Sequence, residues 1–278
     1  MNRPETDRLE EVRGAWPFVT LRLYNRGGRA HLWLARDHRK GLFRHRRALD
    51  DMQAPFWQTA RYNWIMGLIF VIGSSLFMLG SAMALFPAMV KGLPGWTTNA
   101  TFFAGSVPFT TAAYLQLFQA ANTDERYTSG RMRPALFGWD PGSPGWLSSS
   151  TQFIGTIAFN FNTFDAIPVP EGWLLQNTVI WLPGMIGSVL FLVSAYLAYI
   201  ETTHAHSARP RHEIAWWIVT INLVGCIAFM IASTIAYVPR GTDPAWMVNG
   251  SNVNLWFGAF CFFTAAALSM VEARHAAH

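Results

Sequence analysis

Charge is scarce in this chain: of 278 residues only 13% are Asp, Glu, Lys or Arg while 51% are hydrophobic, against the ~25% charged content usual for soluble domains. That shortage excludes an ordinary soluble surface and implies a membrane composition. Cysteine is scarcer still. Its two copies, Cys226 and Cys261, lie inside apolar segments where thiols pack as small apolar groups, so neither a disulfide framework nor a cysteine metal cluster is available. The amino terminus lacks the apolar core of a signal peptide, so insertion is expected to begin at the first apolar segment. There is no phosphate loop, nucleophile elbow, HExxH or dinucleotide fingerprint. Asp165 and Glu171 form no paired acid–base arrangement, and the eight histidines all fall outside the apolar segments, which leaves no pair for axial haem ligation. The expectation is a non-enzymatic protein without a cofactor.

What is abundant is one helix design, repeated. Gly73, Gly105, Gly155, Gly187, Gly225 and Gly258 are each followed four residues later by Phe77, Phe109, Phe159, Phe191, Phe229 and Phe262. Four residues beyond each phenylalanine comes Ser81, Ala113, Thr163, Ala195, Ser233 or Ala266. Spacings of four keep these positions on one helical stripe, a notch, a knob and a second notch. They sit in six apolar segments, 64–86, 100–119, 146–164, 179–200, 214–238 and 253–271, none containing Lys, Arg, Asp or Glu. About 20 helical residues cross a hydrocarbon core of about 30 Å, so six membrane helices are expected, the third being the shortest. The glycine spacings of 32, 50, 32, 38 and 33 residues pair the helices one with two, three with four and five with six. The fold class is therefore an all-α membrane protein of three tandem hairpins, 63–120, 146–200 and 214–272.

The remaining segments are polar: an arm at 1–62, loops at 121–145 and 201–213, and a tail at 273–278. The arm holds 13 of the 21 Lys and Arg residues. With the arm in the cytoplasm, 19 of the 21 lie on that side and only Lys91 and Arg240 on the other, which places both termini inside. Within the arm, residues 1–13 are charged and expected to be mobile. FVTLRLY and RAHLWLAR alternate with period two around NRGG, which predicts a β-hairpin. The following run, with Arg39, Lys40, Arg44, Arg46 and Arg47, is expected to touch anionic lipid headgroups, nucleic acid being no expected partner.

RYNWIMGLIFVIGSSLFMLGS, followed by TFFAGSVPFTTAAYLQ, resembles the bacterial YrhK-like membrane proteins, whose core is a two-helix unit with a GS-x-x-F-like signature. The hairpin at 61–119 carries the resemblance. Gly225-Cys226 and Gly258-Ala259 depart from its Gly-Ser. It implies a fold of tandem hairpins and a bacterial inner-membrane location, and lends no functional residues.

Three sets of residues could carry function. The glycine–phenylalanine stripes read as packing seams within a bundle or homo-oligomer, or as an aromatic ligand groove. Gln152, Thr156, Asn160, Asn162 and Thr163 in helix three, with Asn222 in helix five, must find hydrogen-bond partners in hydrocarbon; they fix helix register or line a polar path. Gln152 and Asn222 both stand three residues before a repeat glycine, where the first hairpin has Phe70. His204, His206 and His212 beside Glu201 and Glu213 are weak metal candidates, read otherwise as solvated surface histidines. With no charged residue near the midplane for ion coupling, the expected function is a membrane-organising or accessory subunit, in contact with the bilayer and with a membrane-complex partner. The alternative is a passive channel or small-solute transporter lined by the polar residues of helices three and five.

Overall fold

In the computed structural model the described residues are 8–26, 29–42, 55–123, 133–209, 212–237 and 244–276. The amino-terminal part is a three-stranded antiparallel sheet in the order β1 (Arg8–Arg13), β2 (Leu21–Arg26), β3 (Arg29–Leu34), followed by a short helix α1 (Ala35–Lys40). β2 and β3 form the hairpin read from the alternation, with Leu23 opposite Leu32 and Arg22 opposite Trp33. β1 corrects the reading of residues 8–13 as part of a mobile arm. Its sequence RLEEVR shows no alternation because the register shifts between Leu9 and Glu11, yet its backbone pairs along β2, with Val12 opposite Arg22.

Six long helices follow: α2 (Ala60–Leu85), α3 (Thr97–Ala121), α4 (Pro144–Asp165), α5 (Trp173–Thr203), α6 (Ile214–Ile235) and α7 (Ala245–His275). The Thr59 hydroxyl caps α2 by accepting from Tyr62 N at 3.2 Å. Ser143 caps α4, and Pro144 opens it at a position whose missing N–H costs no helical bond. α5 carries a π-helical turn at Asn177–Trp181 and stops at His204, whose backbone is left-handed with φ 61°. Four of the six, α2, α5, α6 and α7, are long and apolar enough to cross a membrane, which is consistent with a membrane protein.

The helices close into a ring. α2 packs on α3, α3 on α4, α4 on α5, α5 on α6, α6 on α7, and α7 returns to α2. Each sequence pair is an antiparallel hairpin whose notches and knobs interlock reciprocally. A methyl added at Gly73 would lie 2.6 Å from the Phe109 ring, and one at Gly105 would lie 3.0 Å from Phe77. Gly155 likewise receives Phe191 and Gly187 receives Phe159, each at 2.8 Å, and Gly225 and Gly258 receive Phe262 and Phe229. Absence of a side chain lets two backbones approach and leaves a socket for an aromatic ring, which supplies the close contact on which helix association in lipid depends.

The six phenylalanines do more than lock hairpins: they meet at the centre of the ring. Phe77 lies 6.0 Å from Phe229, and Phe229 lies 5.9 Å from Phe159. Phe109, Phe191 and Phe262 make a second triangle, with centroid separations of 6.5, 6.3 and 5.9 Å. One triangle comes from the first helices of the hairpins and the other from the second helices. The result is a two-layer aromatic plug on an approximate three-fold axis.

Candidate functional site: a capped axial cavity

The plug divides the interior of the ring. The end bearing α1 is called the arm end and the other the far end. Toward the arm end lies a cavity of about 120 Å³ whose floor is Phe109, Phe191 and Phe262. A void of about 10 Å³ lies within the plug, and a second cavity of about 260 Å³ opens beyond Phe159 between the second and third hairpins. The cavity near the arm inherits the repeat. Its walls include Met66, Ser148 and Ile218, seven residues before the repeat glycines of the first helices, and Phe70, Gln152 and Asn222, three before them. Gln116, Ala198 and Ser269, eleven after the glycines of the second helices, complete the same level. Equivalent positions thus have equivalent places, but their polarity differs from hairpin to hairpin.

The roof is α1. Arg36, Arg39 and Lys40 recur on one face of this helix and all three are buried. Arg36 donates two hydrogen bonds to Glu272, both at 2.8 Å, and Lys40 reaches the same carboxylate at 3.0 Å. Arg39 Nη2 donates to Glu201 Oε2 at 2.6 Å. Glu201 and Glu272 occupy one repeat position, fourteen residues after Gly187 and Gly258; the first hairpin has Gln119 there. Gln119 Nε2 donates to Asn63 Oδ1 at 3.0 Å, and Asn63 Nδ2 donates to the Lys40 carbonyl at 2.8 Å. All three hairpins therefore grip α1 from one repeat position, two by ion pairs and one through an amide relay. Gly41, with φ 70°, turns the chain away at the end of α1, where any side chain would strike the Gln58 carbonyl.

Burial sets the electrostatics of this roof. Desolvation, followed by repulsion from Arg36, lowers the Lys40 pKa to about 8, although Glu272 pulls the other way. Burial also raises the Asp37 carboxyl above its ordinary range, against the attraction of Arg36 3.6 Å away.

The expectation that Arg39 and Lys40 meet lipid headgroups is corrected by these contacts: both side chains turn inward, where carboxylates compensate them. Arg44, Arg46 and Arg47 lie outside the described residues. The polar set of helix three divides in two. Asn160 donates to Thr110 at 2.9 Å, Asn162 to the Ile180 carbonyl in the π turn at 2.8 Å, and Thr163 to Ser106 at 3.2 Å, so these three tie α4 to its neighbours. Thr156 bonds back to Phe153 and faces the plug void, while Gln152 and Asn222 line the cavity. The histidines do not converge. His204 Nδ1 lies 2.8 Å from Thr20, fastening the sheet to α5, and His206 Nδ1 lies 2.7 Å from the Tyr196 hydroxyl. His212 is exposed, and among the described residues no group of three or more metal-ligating side chains assembles.

The sequence alone does not single out Gln116, Gln119 or Glu272, and it offers Glu201 only beside the metal-candidate histidines and Arg39 and Lys40 only as headgroup contacts. The signal lay in the polar ends shared by the second helices, LFQAANTDER, AYIETTHAH and SMVEARHAAH, whose acidic or amide residue keeps one distance from the repeat glycine.

The class these features define is a mainly helical protein, consistent with membrane insertion, with a closed ring, a central aromatic plug and an ion-paired cap over an axial cavity. Comparison with protein-family models, curated proteins and solved structures finds no match for the chain.

Proposed function

We propose that the chain is a six-helix bacterial inner-membrane protein that gates the passage of small solutes along the axis of its ring, with both termini in the cytoplasm. The observation carrying this reading is an axial cavity on one side of an aromatic constriction and, on the other, a second cavity set off the axis between the second and third hairpins. Apolar constrictions close a path by excluding water, and small ring movements suffice to reopen one. α1 would act as a second closure at the cytoplasmic mouth, held by ion pairs that can be exchanged for water when it lifts. The charge asymmetry of the loops supports the orientation, and the resemblance of the first hairpin to YrhK-like proteins supports the bacterial setting.

A membrane-organising or accessory role has less support from the geometry. The seams that motivated it are occupied within the chain, since each repeat glycine already holds a phenylalanine of its own hairpin. Cysteine accessibility tests the gated path. In a Cys226→Ser, Cys261→Ala background whose lid is released by Arg36→Gln and Arg39→Gln, Asn222→Cys should react with a membrane-impermeant maleimide from the arm side only, and Ser251→Cys from the far side only. Labelling of neither position from either side, in a protein that remains folded, would remove the aqueous lumen and with it the proposal.

A further inference from the structure

Resting on the reading of the ring as a solute path, we propose that the cavity near the arm binds a small uncharged solute that both donates and accepts hydrogen bonds. The inference comes from which polar groups are already partnered. Arg36, Arg39 and Lys40 are matched one for one by the carboxyl groups of Glu272, Glu201 and Asp37, so the roof offers no unpaired cation to hold an ion. Ser148 is bonded to Ser194, and Ser269 accepts from Lys40.

Three lining groups differ. No hydrogen bond among the described residues reaches the side-chain amides of Gln116, Gln152 and Asn222, which project from α3, α4 and α6 into the same space. The three residues are half-buried and line the cavity, so their amides are available to water or a solute there. Each amide presents one acceptor and two donors, and together they match a neutral group that does both, such as a primary amide, a urea or a polyol. Met66, Phe70 and Ile218 give the remaining wall an apolar character, which favours a solute with one hydrocarbon face. A volume of about 120 Å³ limits the occupant to a few heavy atoms. The hairpins thus divide the labour: one repeat position supplies Phe70 for the apolar face and Gln152 and Asn222 for the polar one.

The test uses the full-length protein in nanodiscs with three probes of nearly equal size, propionamide, propionate and propylammonium, and reads binding by saturation-transfer NMR. Propionamide should bind and the two ions should not. The Gln152→Leu, Asn222→Leu pair should weaken propionamide binding by about tenfold or more, as expected when a polar site loses its partners. Ala198→Leu, which fills the cavity from an otherwise apolar wall position, should do the same and serves should the leucine pair fail to fold. Equal binding of either ion, no propionamide binding, or binding indifferent to both changes overturns the site. Propionamide binding without flux across liposomes supports the site and removes the path; flux of ions without propionamide binding does the reverse.

Discussion

Arg39 and Glu201, 162 residues apart in the chain, face each other at 2.6 Å with both side chains almost wholly buried. Their pairing makes a polar arm into the lid of an apolar ring, and the repeat from which Glu201 arises makes the same lid interact with all three hairpins. Burying such a pair has a desolvation cost that its attraction only partly offsets, whereas leaving one partner alone is strongly unfavourable.

Glu201→Ala should therefore release the lid. Removing one member of a buried pair costs about 3–5 kcal/mol, and α1 can avoid that cost by undocking into water. Trypsin cleavage after Arg36, Arg39 and Lys40, followed by mass spectrometry, should be slow in the wild type and much faster in the variant. The Arg39→Met, Glu201→Leu double replacement should restore much of the protection. A double variant cleaved as fast as Glu201→Ala would show that the ion pair does not hold the lid.

Gly155→Leu should disrupt the second hairpin, because even a methyl at this position would sit 2.8 Å from the Phe191 ring and 3.2 Å from the Gly187 carbonyl. Overpacking of a tight contact costs about 1–3 kcal/mol and often more where backbone is involved. Phe191→Ala in the same chain should recover part of the loss by vacating the socket. Thermal unfolding and monodispersity in detergent would report both effects, and an unperturbed Gly155→Leu protein would contradict the reciprocal seam.

Lys40 should impose a pH dependence above neutrality. Its folded pKa of about 8, set by burial and by Arg36, lies below its ordinary value of 10.5, with Glu272 pulling upward and Arg39 downward. Between those two values the unfolded chain binds more protons than the folded one, so this group's contribution to stability rises with pH across the window and is flat outside it. The difference in melting temperature between wild type and Lys40→Met should move in favour of the wild type from pH 8 to pH 10. A constant difference would contradict the burial of a charged Lys40.

Phe191→Ala on its own should open the plug. The ring contacts Phe109, Phe159 and Phe262 and fills the Gly155 socket. Its truncation is expected to cost about 3–5 kcal/mol and to join the cavity near the arm to the plug void. Propionamide efflux from liposomes should rise relative to wild type. Unchanged efflux from a folded variant would place the constriction elsewhere.

The repeated glycines and phenylalanines made the helical segments and their pairing legible, because spacings of four are a local property of the chain. The ends were less legible. α4 begins at Pro144 rather than 146, since a capping serine and an opening proline look like loop; α5 begins at Trp173 rather than 179, since Gln176 and Asn177 interrupt the apolar run. α7 extends back to Ala245 through Asn249 and Gly250, which resemble a turn until the helix is seen to continue. The site was only half legible. Gln152 and Asn222 stood out as amides at matching repeat positions, and both line the cavity. The roof did not, because Arg36 and Lys40 pair with a glutamate more than 230 residues away; the basic run therefore read as a lipid contact. Ring closure likewise rests on the contact of α7 with α2, which no periodicity encodes.

The most direct test of the gated path is propionamide flux into proteoliposomes, followed by stopped-flow light scattering, for the wild type and for an Arg36→Gln, Arg39→Gln protein in which the lid has lost both of its two-pronged arginine anchors. The account predicts slow flux through the wild type and flux at least about tenfold faster through the unlidded protein, with the increase abolished by Ala198→Leu. Rates equal to those of protein-free liposomes in both proteins, with the ring folded, would contradict it.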